Sequence, residues 1–164
     1  MIALGLGSNV GDRLTNLQNA VNELNTIGKV STVSNVYETE PWGKTNQNKF
    51  LNACVEIEAQ EEVNDLLYKI KQIEQKLGRI ERERWGPREI DIDILFYHDQ
   101  QVSSQRLTVP HPLLHERPFV LIPLREIAAD FVHPILGKTI SELAEKSPKA
   151  GIKIHSKLEL KPLM

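Results

Sequence analysis

The chain is short of several things, and each shortage excludes a class of function. It has one cysteine, Cys54, so no internal disulfide can form. It has little net charge, with 20 Lys+Arg against 22 Asp+Glu, which argues against duplex DNA or an anionic membrane as the main partner. A small anion in a local basic pocket stays possible. No apolar run approaches membrane-spanning length, and no secretory apolar segment opens the chain, so a soluble, cytoplasmic protein is expected. The standard nucleotide loops are missing. "GLGSNVG" has the spacing GxGxxxG, not GxGxxG, and no Walker sequence occurs, which sets aside Rossmann and P-loop readings. Gly5, Gly7, Ser8 and Asn9 are instead expected to shape the first strand-to-helix turn. The five histidines make no metal-ligand spacing, and His133, before Pro134, reads as structural. There is no internal repeat and no low-complexity tract.

What remains suits one domain of 164 residues, 40% hydrophobic, with a weakly patterned tail from about 131. A first strand is expected over 2–6. Leu14, Leu17, Val21 and Leu24 follow at helical spacing, between a capping Asp12 and Gly28. The stretch 29–39 reads as one strand, and 40–49 as a long polar loop of the kind that often carries function. In "FLNACVEIEA", Leu51, Ala53, Val55 and Ile57 alternate with Phe50, Asn52, Cys54 and Glu56. A helix over 62–77 precedes the charged loop "GRIERERWGPRE". The next strand places Ile90, Ile92, Ile94 and Phe96 on one face and Asp91, Asp93, Leu95 and Tyr97 on the other. A hairpin return strand and short, proline-punctuated helices complete the chain, one of them near 140–145. The order βαββαβ predicts an α+β fold with a ferredoxin-like core, its antiparallel sheet carrying helices on one face. Loops or C-terminal segments are expected on the other face.

Aspartate is depleted in strands, and an unpaired buried carboxylate is costly, so Asp91 and Asp93 call for a reason. Side by side on one face, roughly 7 Å apart at the base, they suit one or two Mg²⁺ ions. A wetted strand face is the alternative. Arg79, Arg82, Arg84 and Arg88 fall within ten residues, and the guanidinium fork matches phosphate oxygens. Together with the carboxylates they describe a site for a nucleoside triphosphate and for phosphoryl transfer. Glu74 sits inside the apolar stripe of its helix, where it points either to solvent or to the site. His111, in "TVPHP", follows a strand end, where it could hydrogen-bond a phosphate or serve only the local structure. Aromatics make up only 5% of the chain, so Phe50, Trp42 and Phe119 draw notice. With Asn52 they suit a flat heterocycle stacked between rings and read by an amide, though ordinary packing explains any one of them. A nucleotidyltransferase using an Asp-x-Asp strand competes with this reading. An RNA-binding module does so less well, because the chain is slightly acidic and puts two aspartates on a central strand.

"RWGPREIDIDIL" resembles the signature of the 6-hydroxymethyl-7,8-dihydropterin pyrophosphokinases of folate biosynthesis. "ALGLGSNVGDR", "YETEPWG", "FLNACV", "IEQKLGR" and "RLTVPHPLLHERPFVLIPL" follow the family in order, so the resemblance spans about residues 1–130. It implies transfer of pyrophosphate from ATP, the co-substrate, to the pterin hydroxymethyl group with release of AMP. It further implies that Asp91 and Asp93 hold two Mg²⁺ ions and act in catalysis with Arg84 and Arg88. Glu74, Arg79, Trp85, Ile94, Arg106, Thr108, His111 and Arg117 fall on ATP-site positions. Thr39, Trp42, Phe50, Asn52 and Phe119 fall around the pterin, with Phe50 and Phe119 sandwiching the ring. A monomer acting on two small molecules is expected, without nucleic-acid, membrane or obligate protein partner.

Overall fold

In a computed structural model, residues 1–40, 46–80 and 86–160 are described. The first helix, α1 (Arg13–Ile27), begins where the Asp12 carboxylate accepts a hydrogen bond from Thr15 N–H at 3.1 Å. It buries Leu17, Ala20, Val21 and Leu24 along one stripe. It stops at Gly28, whose backbone is extended; a Cβ there would stand 2.6 Å from the Glu58 carbonyl oxygen. Close passage of two backbones, not a left-handed cap, is what requires this glycine. The second helix, α2 (Val63–Lys76), buries Val63, Leu66, Ile70 and Ile73 against the same side of the sheet.

That sheet is six-stranded and antiparallel at every pairing: β5 (Asp91–Tyr97), β1 (Ile2–Ser8) and β4 (Phe50–Glu58) are neighbours in that order. β2 (Lys29–Val33) and β3 (Asn35–Thr39) both pair with β4, and β8 (Ile152–Lys157) pairs with β3 at the edge. The fold is mixed α/β with an antiparallel sheet. Leu4, Leu6, Leu51, Val55, Ile92 and Ile94 face the helices. On the opposite face, α3 (Pro118–Ala128) and α4 (Ile140–Glu145) cover Ala3, Cys54, Leu95 and Phe96 through Leu121, Leu124 and Ile140. This cover reaches only one end of the face. Gly5, Gly7, Asn52, Asp91 and Asp93, at the other end, line a cavity.

Four expectations change. The stretch 29–39 is two strands because Ser34 turns inward: its N–H donates to Cys54 O and its Oγ accepts from Cys54 N, each at 2.9 Å. The strict alternation along β5 breaks at Leu95. Ala3 pairs with Phe96 and Leu4 with Ile94, so Leu95 is an extra residue. Beyond this bulge Phe96 joins the α3–α4 side, and Tyr97 turns toward α1 and α2. The hairpin strand does not return along β5; β6 (Val102–Ser103) and β7 (Thr108–Val109) pair with each other as a separate two-stranded sheet. The weakly patterned tail contains a strand, β8, whose Ile154 is exposed. An edge strand with one exposed face carries little hydrophobic alternation.

His133 is structural, as its place before Pro134 suggested. Its buried ring meets Phe96 edge-on at 5.5 Å, and its Nδ1 accepts from Ile135 N–H and Leu136 N–H, each at 3.1 Å. Burial holds its pKa below the ordinary 6.5. As pH falls, the unfolded chain takes up this proton first, so this contribution to stability is full above about 6.5 and is lost below it. His133→Ala is expected to cost about 1–2 kcal/mol in urea unfolding at pH 8 and to flatten the fall below pH 6.5. An unchanged midpoint would remove His133 from this role.

Candidate active site

The site is built where β1 carries glycine on the face turned away from α1 and α2. Gly5 lies opposite Asp93 on one side and Cys54 on the other; Gly7 lies between Asp91 and Asn52. Without side chains on β1, the two aspartates and Asn52 border one open space. A Cβ on Gly7 would come within 3.0 Å of Asn52 Oδ1. The sequence placed these glycines in a turn, but they lie inside the strand and form the floor of a cavity of about 330 Å³.

Thr39 of β3 and Phe50 and Asn52 of β4 form one wall. Asn52 Nδ2 donates to Thr39 Oγ1 at 2.6 Å, which fixes the amide's orientation with its oxygen directed elsewhere. Phe119, in the first turn of α3, stands in another wall with Arg117, whose guanidinium lies 5.7 Å from the Phe119 ring centre. Arg88, His111 and Leu113 complete it. A second cavity, of about 250 Å³, lies between α2, β5 and the β6–β7 hairpin. Lys71, Ile94, Arg106 and Thr108 line it. The two cavities share Asp93, His111 and Pro112.

Behind the aspartates runs an ion network. Asp91 pairs with Arg79 at 3.2 Å and with Arg88 at 3.0 Å. Arg79 also pairs at 2.8 Å with Glu74, a buried carboxylate that accepts from Ile92 N–H at 2.8 Å and from Lys71 Nζ at 2.9 Å. Glu74 therefore reaches the backbone between the two aspartates and braces β5. At Asp93, burial, and then the nearby charge of Asp91, push the pKa up to about 7. His111 is held neutral, since burial and then the Arg117 charge bring it down to about 4.

Among the expected site residues, the structure gathers Thr39, Phe50, Asn52, Arg88, Asp91, Asp93, His111, Arg117 and Phe119 around the first cavity. Ile94, Arg106 and Thr108 join Asp93 and His111 around the second. Arg117 thus borders the first cavity, not the second, where Arg106 lies. Glu74 and Arg79 line neither cavity and act through Asp91 and β5. Trp42, Arg84 and Trp85 lie outside the described residues. Lys71 escaped notice in the sequence. Its signal was its place one turn before Glu74 on the same helix face.

This geometry brings an aromatic and amide-lined cavity against a cation-lined one at a carboxylate pair. A model of the family described as 7,8-dihydro-6-hydroxymethylpterin-pyrophosphokinase (HPPK) matches residues 3–129. The chain belongs to the HPPK family. Relatives named 2-amino-4-hydroxy-6-hydroxymethyldihydropteridine pyrophosphokinase agree. That of Aquifex aeolicus is 45% identical over 86% of this chain and 88% of its own. That of Methylorubrum extorquens is 46% identical over 91% and 94%. Among solved structures, a Plasmodium falciparum HPPK-DHPS triple mutant shares the fold, with a TM-score of 0.72 at 17% identity. The match covers 88% of this chain and 42% of that longer one. The stretch matched by the HPPK model begins inside β1 and ends just past α3.

Proposed function

We infer that the protein transfers pyrophosphate from ATP to the hydroxymethyl group of 6-hydroxymethyl-7,8-dihydropterin, releasing AMP. The observation that supports this most is the meeting of two chemically different cavities at Asp93. The pterin is assigned to the first, between Phe50 and Phe119, with its polar edge on Asn52 and Thr39. ATP is assigned to the second, against Ile94, Arg106, Thr108 and Lys71, with its phosphates directed toward Asp93 and His111. The pterin hydroxyl oxygen forms a bond to the β-phosphorus and gives up its proton to solvent, the bond from that phosphorus to the α,β-bridging oxygen breaks, and AMP leaves with that oxygen.

The donor set fits a hard divalent cation. Two adjacent carboxylates face the cavities, and among the described residues no third His, Cys, Asp or Glu joins them in a metal-binding group. Water and phosphate oxygens would complete the shell, as Mg²⁺ prefers. Asp91 and Asp93 would hold Mg²⁺, two ions in this reading, which supplies charge neutralisation on the triphosphate. Arg88, which lines the first cavity, pairs with Asp91 and brings positive charge to the site, while Arg79 holds Asp91 from behind. Neutral His111 offers a hydrogen bond without adding charge. Phe50, Phe119 and Asn52 orient the pterin and exclude water from the hydroxymethyl group. We also read the strand order β5-β1-β4-β2/β3, with α1 and α2 on one face, as a ferredoxin-like core in a single domain.

Substrate assignment is tested by steady-state AMP release. Phe50→Ala is expected to raise KM for the pterin by about a hundredfold, since a stacked ring loses its platform. It should leave KM for ATP within about twofold. Arg106→Ala should do the converse. Crossed effects would reverse the assignment of the two cavities.

A further inference from the structure

Asn9 is a buried residue that lines neither cavity, yet it holds both sides of the site. Its main-chain N–H donates to Arg88 O at 3.0 Å, and its Oδ1 accepts from Arg88 N–H at 2.8 Å. Its Nδ2 donates to Gln47 Oε1 at 2.9 Å and to Asn48 O at 3.0 Å. One short side chain therefore bridges two segments that lie far apart in sequence. The first carries Arg88, whose guanidinium pairs with Asp91. The second runs directly into Phe50 and Asn52 of β4. Arg13 adds another tie to this second segment, donating to Lys49 O at 3.0 Å while paired with Glu38 at 2.9 Å.

We propose that Asn9 is a positioning residue that sets the pterin-side segment 47–49 relative to Arg88 and the aspartates. The proposal rests on the assignment of the pterin to the first cavity. Burial favours this reading over a role in the local turn: a turn needs one local acceptor, whereas the Asn9 amide spends donor and acceptor alike on distant partners. The bonds also divide by chemistry. Those to Arg88 need the side-chain oxygen and the main chain; those to Gln47 and Asn48 need the NH₂ group. Asn9→Asp keeps the first set, removes the bond to the Asn48 carbonyl and sets a charge against it, and forces Gln47 to turn its amide over. The asymmetry lets one isosteric change separate the two sides.

The experiment measures KM for each substrate by AMP release in wild type, Asn9→Asp, Asn9→Ala and Phe50→Ala, with a melting curve for each. Asn9→Asp is expected to raise KM for the pterin about tenfold, the effect on placement of the lost Asn48 bond and the charge set against that carbonyl, with KM for ATP within about twofold. Asn9→Ala, which also removes the side-chain bond to Arg88 N–H and leaves only the main-chain one, should raise both. Equal shifts in the two constants for Asn9→Asp, or a lower melting temperature with neither constant changed, would overturn the proposal and leave Asn9 a structural residue. If Phe50→Ala also left pterin KM unchanged, the substrate assignment itself would fail, and the proposal with it. A response to Phe50→Ala without one to Asn9→Asp would overturn the proposal alone.

Discussion

Asp93→Asn is expected to abolish turnover and, in metal-free buffer at pH 8, to make the protein more stable than wild type. Both effects come from one cause. Burial and the nearby charge of Asp91 push Asp93 up to about 7. In the unfolded chain an aspartate ionises near 3.9. As pH rises from about 4 to 7, the unfolded chain gives up this proton first, so stability falls across that window and stays lower above it. A neutral amide removes the penalty, so Asp93→Asn should unfold at a higher urea concentration than wild type at pH 8. Asp91→Asn should lose activity as completely but shift stability the other way. It removes the charge that Arg88 and Arg79 now pair with, while Arg79 keeps Glu74, and costs about 1–2 kcal/mol. Urea unfolding in EDTA, beside an activity assay in Mg²⁺, reads both quantities. Turnover should fall by about a thousandfold or more in each variant, the scale on which charge stabilisation acts in transfer reactions. Equal stability changes of the same sign would mean that the two carboxylates do not divide as described.

Glu74→Gln should damage the molecule more deeply than its distance from the cavities suggests. The carboxylate is 2% exposed and answers three donors: Arg79, Lys71 and the Ile92 N–H. An amide keeps the shape but loses the charge that balances two cations. Removing one member of such a buried set costs about 3 kcal/mol. The loss also frees the segment of β5 between the two aspartates, so KM for ATP and kcat should worsen together. Glu74→Asp would keep the charge and shorten the reach, and should recover part of the stability. A Glu74→Gln variant with wild-type unfolding and kinetics would reduce the brace to an incidental contact.

Much of this was legible because it rests on local rules. Helical spacing in α1 and α2 and alternation in β4 each declare a buried face. Asp91 and Asp93 declare themselves by breaking the composition of a strand. Other features depend on neighbours far away in sequence. Gly5 and Gly7 look like turn residues until β4 and β5 are laid beside them, when their missing side chains become the floor of a cavity. The Leu95 bulge is set by the register against β1, and no pattern within β5 reveals it. Asn9 reads as one polar residue in a glycine-rich stretch, since its four bonds reach residues about forty and eighty positions ahead. β8 pairs at an edge with one face exposed, so it has little burial to mark it.

The most direct measurement is product identity. The protein is mixed with MgATP, with and without 6-hydroxymethyl-7,8-dihydropterin, and the nucleotides and pterins are separated. Pterin-dependent AMP, matched by an equal amount of pterin diphosphate, is the predicted result. ADP in place of AMP would mean transfer of a single phosphoryl group, and free pyrophosphate would mean nucleotidyl transfer; either would contradict the account.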